Sequence, residues 1–473
     1  MGATSLASCG GAIGPGPDVA SAPRETFYEA RFVSSDELLV EVIDATGQFA
    51  RVVIEEDAEH FITELAAGSA TGELAPVALS PSTTWPLHVS ACDGANVCRI
   101  RYRIDVGGLA RAFRNPQFGF AFGEDLLMPA TSFLIRPAAD APVGTFRLAL
   151  VGEDPRRYWS GLVSDADGVF SARLDDLPQA PYGVFSREIP HNVTTERVAP
   201  RASNARANVL VLGGPAARPD DEVFAWVEQG LGDALGYLGA YAPTPLVMVL
   251  IGPGDGVDSG FTLGNGGASV LVGLGEDTSA DVLARDWVMT HELLHASMPS
   301  LATRHNWLEE GFATYVEPLA RSGRSRLSEE QVWNDWYSAM WQGQPTGGEG
   351  GLDGTHTWGR LYWGGAGFWL AAEIAVFEQT NGQRSLADCF GKIARESRGV
   401  ADRWSIERFL TACDEGLGAA VVRPLYEHMA GEPVTLPFDE MFAKLGVEKR
   451  RGGVSFREDA PLSICRRNMT RAR

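Results

Sequence analysis

Between residues 25 and 190, apolar and polar positions alternate in short runs. F-Y-E-A-R-F-V from Phe27, L-L-V-E-V-I from Leu38, F-A-R-V-V-I from Phe49, C-R-I-R-Y-R-I from Cys98 and F-R-L-A-L-V from Phe146 have the period of two expected of strands with one buried face. Gly, Pro, Asp and Ser separate them, and few helical periods intrude. The pattern predicts a β-sandwich-like N-terminal domain over residues 25–190. Beyond it, N-V-L-V-L from Asn208 and P-L-V-M-V-L-I from Pro245 are continuous apolar runs, as in strands covered on both faces. Asp220 to Leu238 has helical spacing, and F-T-L-G-N-G-G-A-S-V-L-V-G-L-G from Phe261 reads as a strand pair broken by glycine. These segments predict an α/β subdomain over 191–322, followed by a mostly helical C-terminal domain over 323–473. In the latter, the helix that opens G-A-G-F-W-L stops at Asn381-Gly382, and Ser385 with Asp388 forms a capping-box-like start to the next. W-N-D-W-Y-S-A-M-W from Trp333 predicts amphipathic core packing. The Gly-rich stretch Gln342 to Gly354 predicts a mobile surface loop. The chain is expected to be an α+β multidomain protein.

Composition adds limits. The 473 residues are 45% hydrophobic and 21% charged, which suits a folded protein with more than one core. No apolar run approaches the roughly 18–20 residues of a spanning helix. A net charge of −21 repels polyanions and excludes nucleic acid as a partner. Leu6-Ala7-Ser8-Cys9 resembles a bacterial lipobox and is followed by a Gly-, Pro- and Ala-rich linker within residues 1–24. That resemblance implies a lipidated Cys9, membrane anchoring and an extracytoplasmic place, periplasmic or membrane-anchored, in a bacterium. Cys92 and Cys98 enclose a turn-forming D-G-A-N-V and are expected to form a local disulfide. Cys389–Cys413 is the second pairing expected, with Cys465 left over. No pattern specifies an oligomeric state.

Candidate chemistry concentrates at T-H-E-L-L-H-A-S-M from Thr290. Thr278 or Ser279 is placed to cap one helix running through D-V-L-A-R-D-W-V-M-T-H-E-L-L-H until Pro299 ends it. His291 and His295 are four apart, so both imidazoles leave one helix face and can grip one ion. Glu292 is turned about 100° away and can reach a water instead of the metal. A catalytic zinc takes three protein ligands. Downstream lies N-W-L-E-E-G-F-A-T-Y, where Asn306 caps a second helix, Glu309 completes a reciprocal cap, and Glu310 is free to be the third ligand. Fourteen intervening residues allow the chain to reverse and bring Glu310 against the first helix. Thr314, one turn further, is a candidate supporting partner. His305 and His356 are expected to be surface or loop histidines.

W-L-E-E-G-F-A-T-Y around Glu310, together with H-E-L-L-H, resembles the gluzincin metallopeptidases, especially the aminopeptidase-N and glycyl aminopeptidase families. Tyr362-Trp363-Gly364-Gly365 is similar to their Y-x-x-G segment. The resemblance covers roughly Leu246 to Ile393. It implies a thermolysin-like zinc subdomain with one Zn2+ per chain on His291, His295 and Glu310. It implies that Glu292 is the general base of peptide-bond hydrolysis and that Tyr362 donates to the oxyanion. Peptides or proteins are the implied substrates. The His-to-Glu spacing is shorter than is usual in the aminopeptidase-N family. The acid those aminopeptidases use to hold a free amino terminus, in G-x-M-E-N or G-G-x-E, has no counterpart in Gly266-Gly267-Ala268-Ser269-Val270-Leu271. Gly267, Ala268 and Ser269 are instead expected to bind peptide along an edge strand. Exo- and endopeptidase action both stay open. The alternative function is a cell-surface binding or assembly lipoprotein on a non-cleaving peptidase fold.

Overall fold

The computed structural model describes residues 24–471 except 70, 81, 96, 153, 197–203 and 214–219. The lipobox-like segment with Cys9 and nearly all of the linker after it lie outside the described residues. The N-terminal alternation becomes an eight-stranded sheet in the order Val163–Ser164, Phe170–Arg173, Thr145–Leu150, Glu25–Phe32, Glu37–Asp44, Cys98–Asp105, Ile62–Ser69 and Ala75–Pro76. Tyr28 and Ala30 pair with Val42 and Val40, so every second residue of the two strands turns into one core. Three- and four-stranded sheets close over that core. The buried Tyr28 and Tyr102 hydroxyls donate to the carbonyls of Ile135 and Phe133, at 2.9 and 2.7 Å, so neither is stranded.

The next unit is built on a five-stranded sheet, in the order His191–Thr194, Arg206–Leu212, Leu246–Gly252, Ser269–Gly275 and Val257–Leu263. The three central strands are parallel and both outer ones antiparallel. Their apolar runs divide by parity. Val247, Val249, Val270 and Val272 face the helices, whereas Leu246, Met248, Leu210 and Leu271 face the β-domain, where they meet Leu127, Tyr182 and Val184. The sheet is therefore the wall between the two halves of the molecule.

The C-terminal helices do not form a separate core. One continuous apolar cluster runs from Val193 and Val209 through the site helices to Phe442 and Met469, across the boundary expected at 323. Trp333 and Trp336 are fully buried in it, as their spacing predicts. The capping box of Ser385 and Asp388 is formed. Both expected disulfides, Cys92–Cys98 and Cys389–Cys413, are present, and Cys465 is a buried thiol. The stretch 342–354 is a surface loop as expected at Thr346, Gly347, Gly348, Gly350 and Gly354, which are exposed, but not throughout. Gly343, Gly351 and Leu352 are buried, and the Gly343 carbonyl accepts from the buried Arg360 guanidinium at 2.7 Å. Gly343 and Gly351 serve close packing, a use that composition alone does not separate from looseness.

Candidate metal centre and cleft

The single helix expected from residue 280 to Pro299 is two helices, Ala280–Arg285 and Val288–Ser297. Ser279 caps the first as expected. The break comes from Asp286, whose carboxylate accepts from the amides of Val288 and Met289 (3.1 and 3.0 Å) and so caps the second helix internally. Asp286 also accepts from the Trp226 indole at 3.0 Å. Two further bonds hold Val288–Ser297 against the helix Asp220–Leu238 and the turn after it. The Thr290 hydroxyl donates to Asp233 at 3.0 Å, and the Tyr241 hydroxyl donates to the Leu293 carbonyl at 3.0 Å. Asp233 is fully buried and is also paired with Arg324 and Arg326.

From this anchored helix His291 and His295 project together. Their Nε2 atoms are 3.1 Å apart, and Glu310 Oε2 stands 3.5 Å from the first and 3.2 Å from the second. Burial alone would depress the His295 imidazolium, but the charge and hydrogen bond of Glu310 lift it to about 9. Burial would likewise raise the Glu310 carboxyl, yet the two imidazoles hold it well below the usual carboxylate range. The two imidazoles and the carboxylate thus offset one another's charge. The His295 value lies above the ordinary 6.5, so the proton is held at neutral pH and must leave before the nitrogen can ligate. Zinc association by the metal-free protein should therefore strengthen by about tenfold per pH unit between pH 6 and 8. Chelator competition at several pH values measures this, and a flat profile would contradict the protonated trio.

Glu292 diverges from this cluster as the helix turn requires. The Thr262 hydroxyl lies 2.7 Å from Glu292 Oε2 and 3.0 Å from its carbonyl oxygen, and can donate to one at a time. Thr262 belongs to the sheet's outer strand Val257–Leu263, which runs beside the helix. A Cβ on Gly260 of that strand would collide with the Glu292 side chain. Neither residue is marked by the H-E-x-x-H pattern. Their role follows only from the strand order.

Glu310 arrives on the helix Asn306–Gly323. Asn306 makes no side-chain cap, and Glu309 turns to accept the Leu301 amide at 2.6 Å in place of the expected reciprocal bond. Burial raises Glu309 to about 7. The Thr314 hydroxyl is buried without a hydrogen bond, so it does not support Glu310 as expected. His305 is also corrected. It is buried, with Nδ1 3.0 Å from Asp353 Oδ1, and Trp307 donates to the same carboxylate oxygen at 2.8 Å. His356 is exposed as expected.

Tyr362 lies in a π-helical turn, Arg360–Gly364, that leads into the helix Gly365–Gln379. Its ring stacks on His291 with centroids 5.9 Å apart and 5° between planes. Burial, then the Glu310 charge, raise its pKa, so the hydroxyl keeps its proton and remains a donor at neutral pH. The Y-x-x-G spacing has a physical cause. Gly365 packs on Trp307 and Gly311, so the Tyr362 segment meets the Glu310 helix backbone to backbone. Gly365→Ala would put a Cβ into the Trp307 carbonyl oxygen. It should destabilise the fold by about 1–3 kcal/mol in chemical denaturation.

Gly267, Ala268 and Ser269 are not brought to the cleft. The Ala268 amide bonds to the Gly161 carbonyl at 2.9 Å, its carbonyl accepts from the Leu246 amide, and the Ser269 hydroxyl accepts from the Tyr182 amide at 2.7 Å. Ser269–Gly275 is an inner strand, with both neighbours present, so it offers no free edge for a peptide. The sheet's edge strands are His191–Thr194 and Val257–Leu263, and the second lies beside the helix that carries His291. The one acid of Val257–Leu263, Asp258, is exposed.

No protein-family profile and no curated protein matches the chain. Solved structures do. An aminopeptidase N family protein from Idiomarina loihiensis superposes with a TM-score of 0.59 over 92% of this chain and 82% of its own, at 14% identity. An M1 zinc metallopeptidase from Deinococcus radiodurans gives 0.48 over 88% and 94%, at 16% identity. The likeness to the first is one of fold, an α+β multidomain layout.

Proposed function

We propose that the protein is a zinc-dependent metallopeptidase. The observation that carries this reading is the convergence, within 4.8 Å of one another, of one ligand atom each from His291, His295 and Glu310, with Glu292 and Tyr362 alongside. Two imidazoles and a carboxylate are a donor set suited to zinc. When bound, zinc supplies Lewis acidity toward water and the scissile carbonyl. Glu292 accepts the proton of the attacking water and returns it to the leaving amine. Thr262 holds one oxygen of the Glu292 carboxylate, leaving the other to take the proton. Tyr362, kept protonated, donates to the oxyanion that forms as the carbonyl becomes tetrahedral. The edge strand Val257–Leu263 offers backbone groups to an extended peptide.

A mixed-peptide digest with zinc-loaded protein, using matched free and acetylated amino termini, tests the reading. Chelator-sensitive cleavage is expected. Bound zinc with no cleavage of any peptide would replace this reading with that of a non-cleaving binding protein.

A further inference from the structure

Twelve tryptophans are distributed unevenly between core and surface. Trp307, Trp333, Trp336 and Trp369 are fully buried, whereas Trp287, Trp341 and Trp358 are 49%, 65% and 57% exposed. Two of these three exposed indoles touch the candidate catalytic side chains. Trp287 stands one helical turn before His291 and meets its ring edge to face at 5.3 Å. Trp358 stacks on Tyr362 at 5.3 Å and 26°, and Tyr362 in turn stacks on His291. The rings form one continuous row, Trp287–His291–Tyr362–Trp358, with the candidate metal ligand and oxyanion donor in the middle and an open indole at each end. Burying an indole is favourable, so leaving two exposed beside the reacting groups is intelligible if a substrate side chain covers them.

We propose that Trp358, with Trp287 at the opposite end of the row, selects substrates bearing a bulky apolar side chain, aromatic or branched aliphatic, next to the scissile bond. This rests on the metallopeptidase reading and names its substrate class. A face of indole also attracts cations, and several carboxylates of this region accept hydrogen bonds. Asp286 caps its helix and holds Trp226, Glu292 holds Thr262, and Asp353 is shared by His305, Trp307 and Tyr426. These donors are amide, indole and hydroxyl groups and an imidazole, so the carboxylates keep their charge, and the Lys ligands below test a cationic side chain directly. A ring laid on the outer face of Trp358 extends the stack.

The test uses the zinc-loaded full chain and calorimetric binding of phosphinic dipeptides, with Phe, Ala or Lys on either side of the phosphinate. On one side, Phe should bind about 10- to 100-fold more tightly than Ala. Trp358→Ala should reduce that preference to about threefold, by weakening the Phe ligand and leaving the Ala ligand nearly unchanged, and Trp358→Phe should retain most of it. Trp358→Gln, which keeps bulk without the aromatic face, replaces Trp358→Ala if the latter does not fold. Preference for Lys, no preference, no binding, or equal weakening of the Phe and Ala ligands in Trp358→Ala would each overturn the inference. Peptide cleavage separates the two readings. Glu292-dependent cleavage with selectivity unaltered by Trp358→Ala removes this inference and keeps the peptidase. Trp358-dependent selective binding without any cleavage removes the peptidase and keeps the aromatic subsite.

Discussion

Glu292→Gln should lower peptide hydrolysis by about 10²- to 10⁴-fold while leaving zinc in place. The two effects separate because Glu292 lies off the ligand cluster, hydrogen-bonded to Thr262, while the ligand atoms come from His291, His295 and Glu310. Glutamine keeps the size and an oxygen that can accept from Thr262, so the fold has little reason to respond. What it loses is the capacity to take a proton from water at neutral pH. Metal analysis alongside peptide turnover measures both quantities. Retained turnover would remove Glu292 from the mechanism, and lost zinc would mean that it supports the ligands directly. Thr262→Val is the companion measurement, since it frees the carboxylate without removing it.

Asp233→Ala should be the most damaging single change outside the cleft, at about 3–5 kcal/mol in chemical denaturation. Asp233 has no solvent exposure and faces three donors, the guanidinium groups of Arg324 and Arg326 and the Thr290 hydroxyl. Removing it strands two partly buried positive charges and a hydroxyl at once, where an exposed ion pair would contribute a fraction of that. Thr290→Val, which removes only the neutral hydrogen bond, should destabilise by about 1 kcal/mol. If Asp233→Ala were as mild as Thr290→Val, the arginine pair would be carrying no energy. Because Thr290 adjoins His291, zinc affinity should fall in Asp233→Ala even where the protein remains folded.

The parts of this molecule that follow from local pattern are legible in the sequence. Alternation located the main strands of the β-domain. Helical spacing put His291 and His295 on one face, and turn chemistry pointed to Cys92–Cys98, whereas nothing local decided which two of Cys389, Cys413 and Cys465 would pair. What the sequence concealed depends on which segment lies beside which. The identity of the sheet's edge strands is one case: Gly267, Ala268 and Ser269 look like an open strand, but chain crossover puts Ser269–Gly275 inside and Val257–Leu263 outside. The helix break at Asp286 is another. Aspartate is an acceptable helix residue near an amino terminus, and only its simultaneous bonds to Trp226 and two amides make it a stop. Buried polar residues such as His305 and Asp233 resemble surface residues in composition, because their partners come from distant segments.

The shared core carries a consequence for how such a chain can be altered by recombination. Residues 323–471 supply Tyr362, Trp358 and much of the packing against the helices that hold His291 and Glu310. A crossover placed at 323, where the texture of the sequence invites one, would join an incoming helical half to a surface shaped for another. Productive chimeras should therefore exchange everything from 191 onward as one block, and inherit the β-domain across the sheet face of Leu210, Met248 and Leu271.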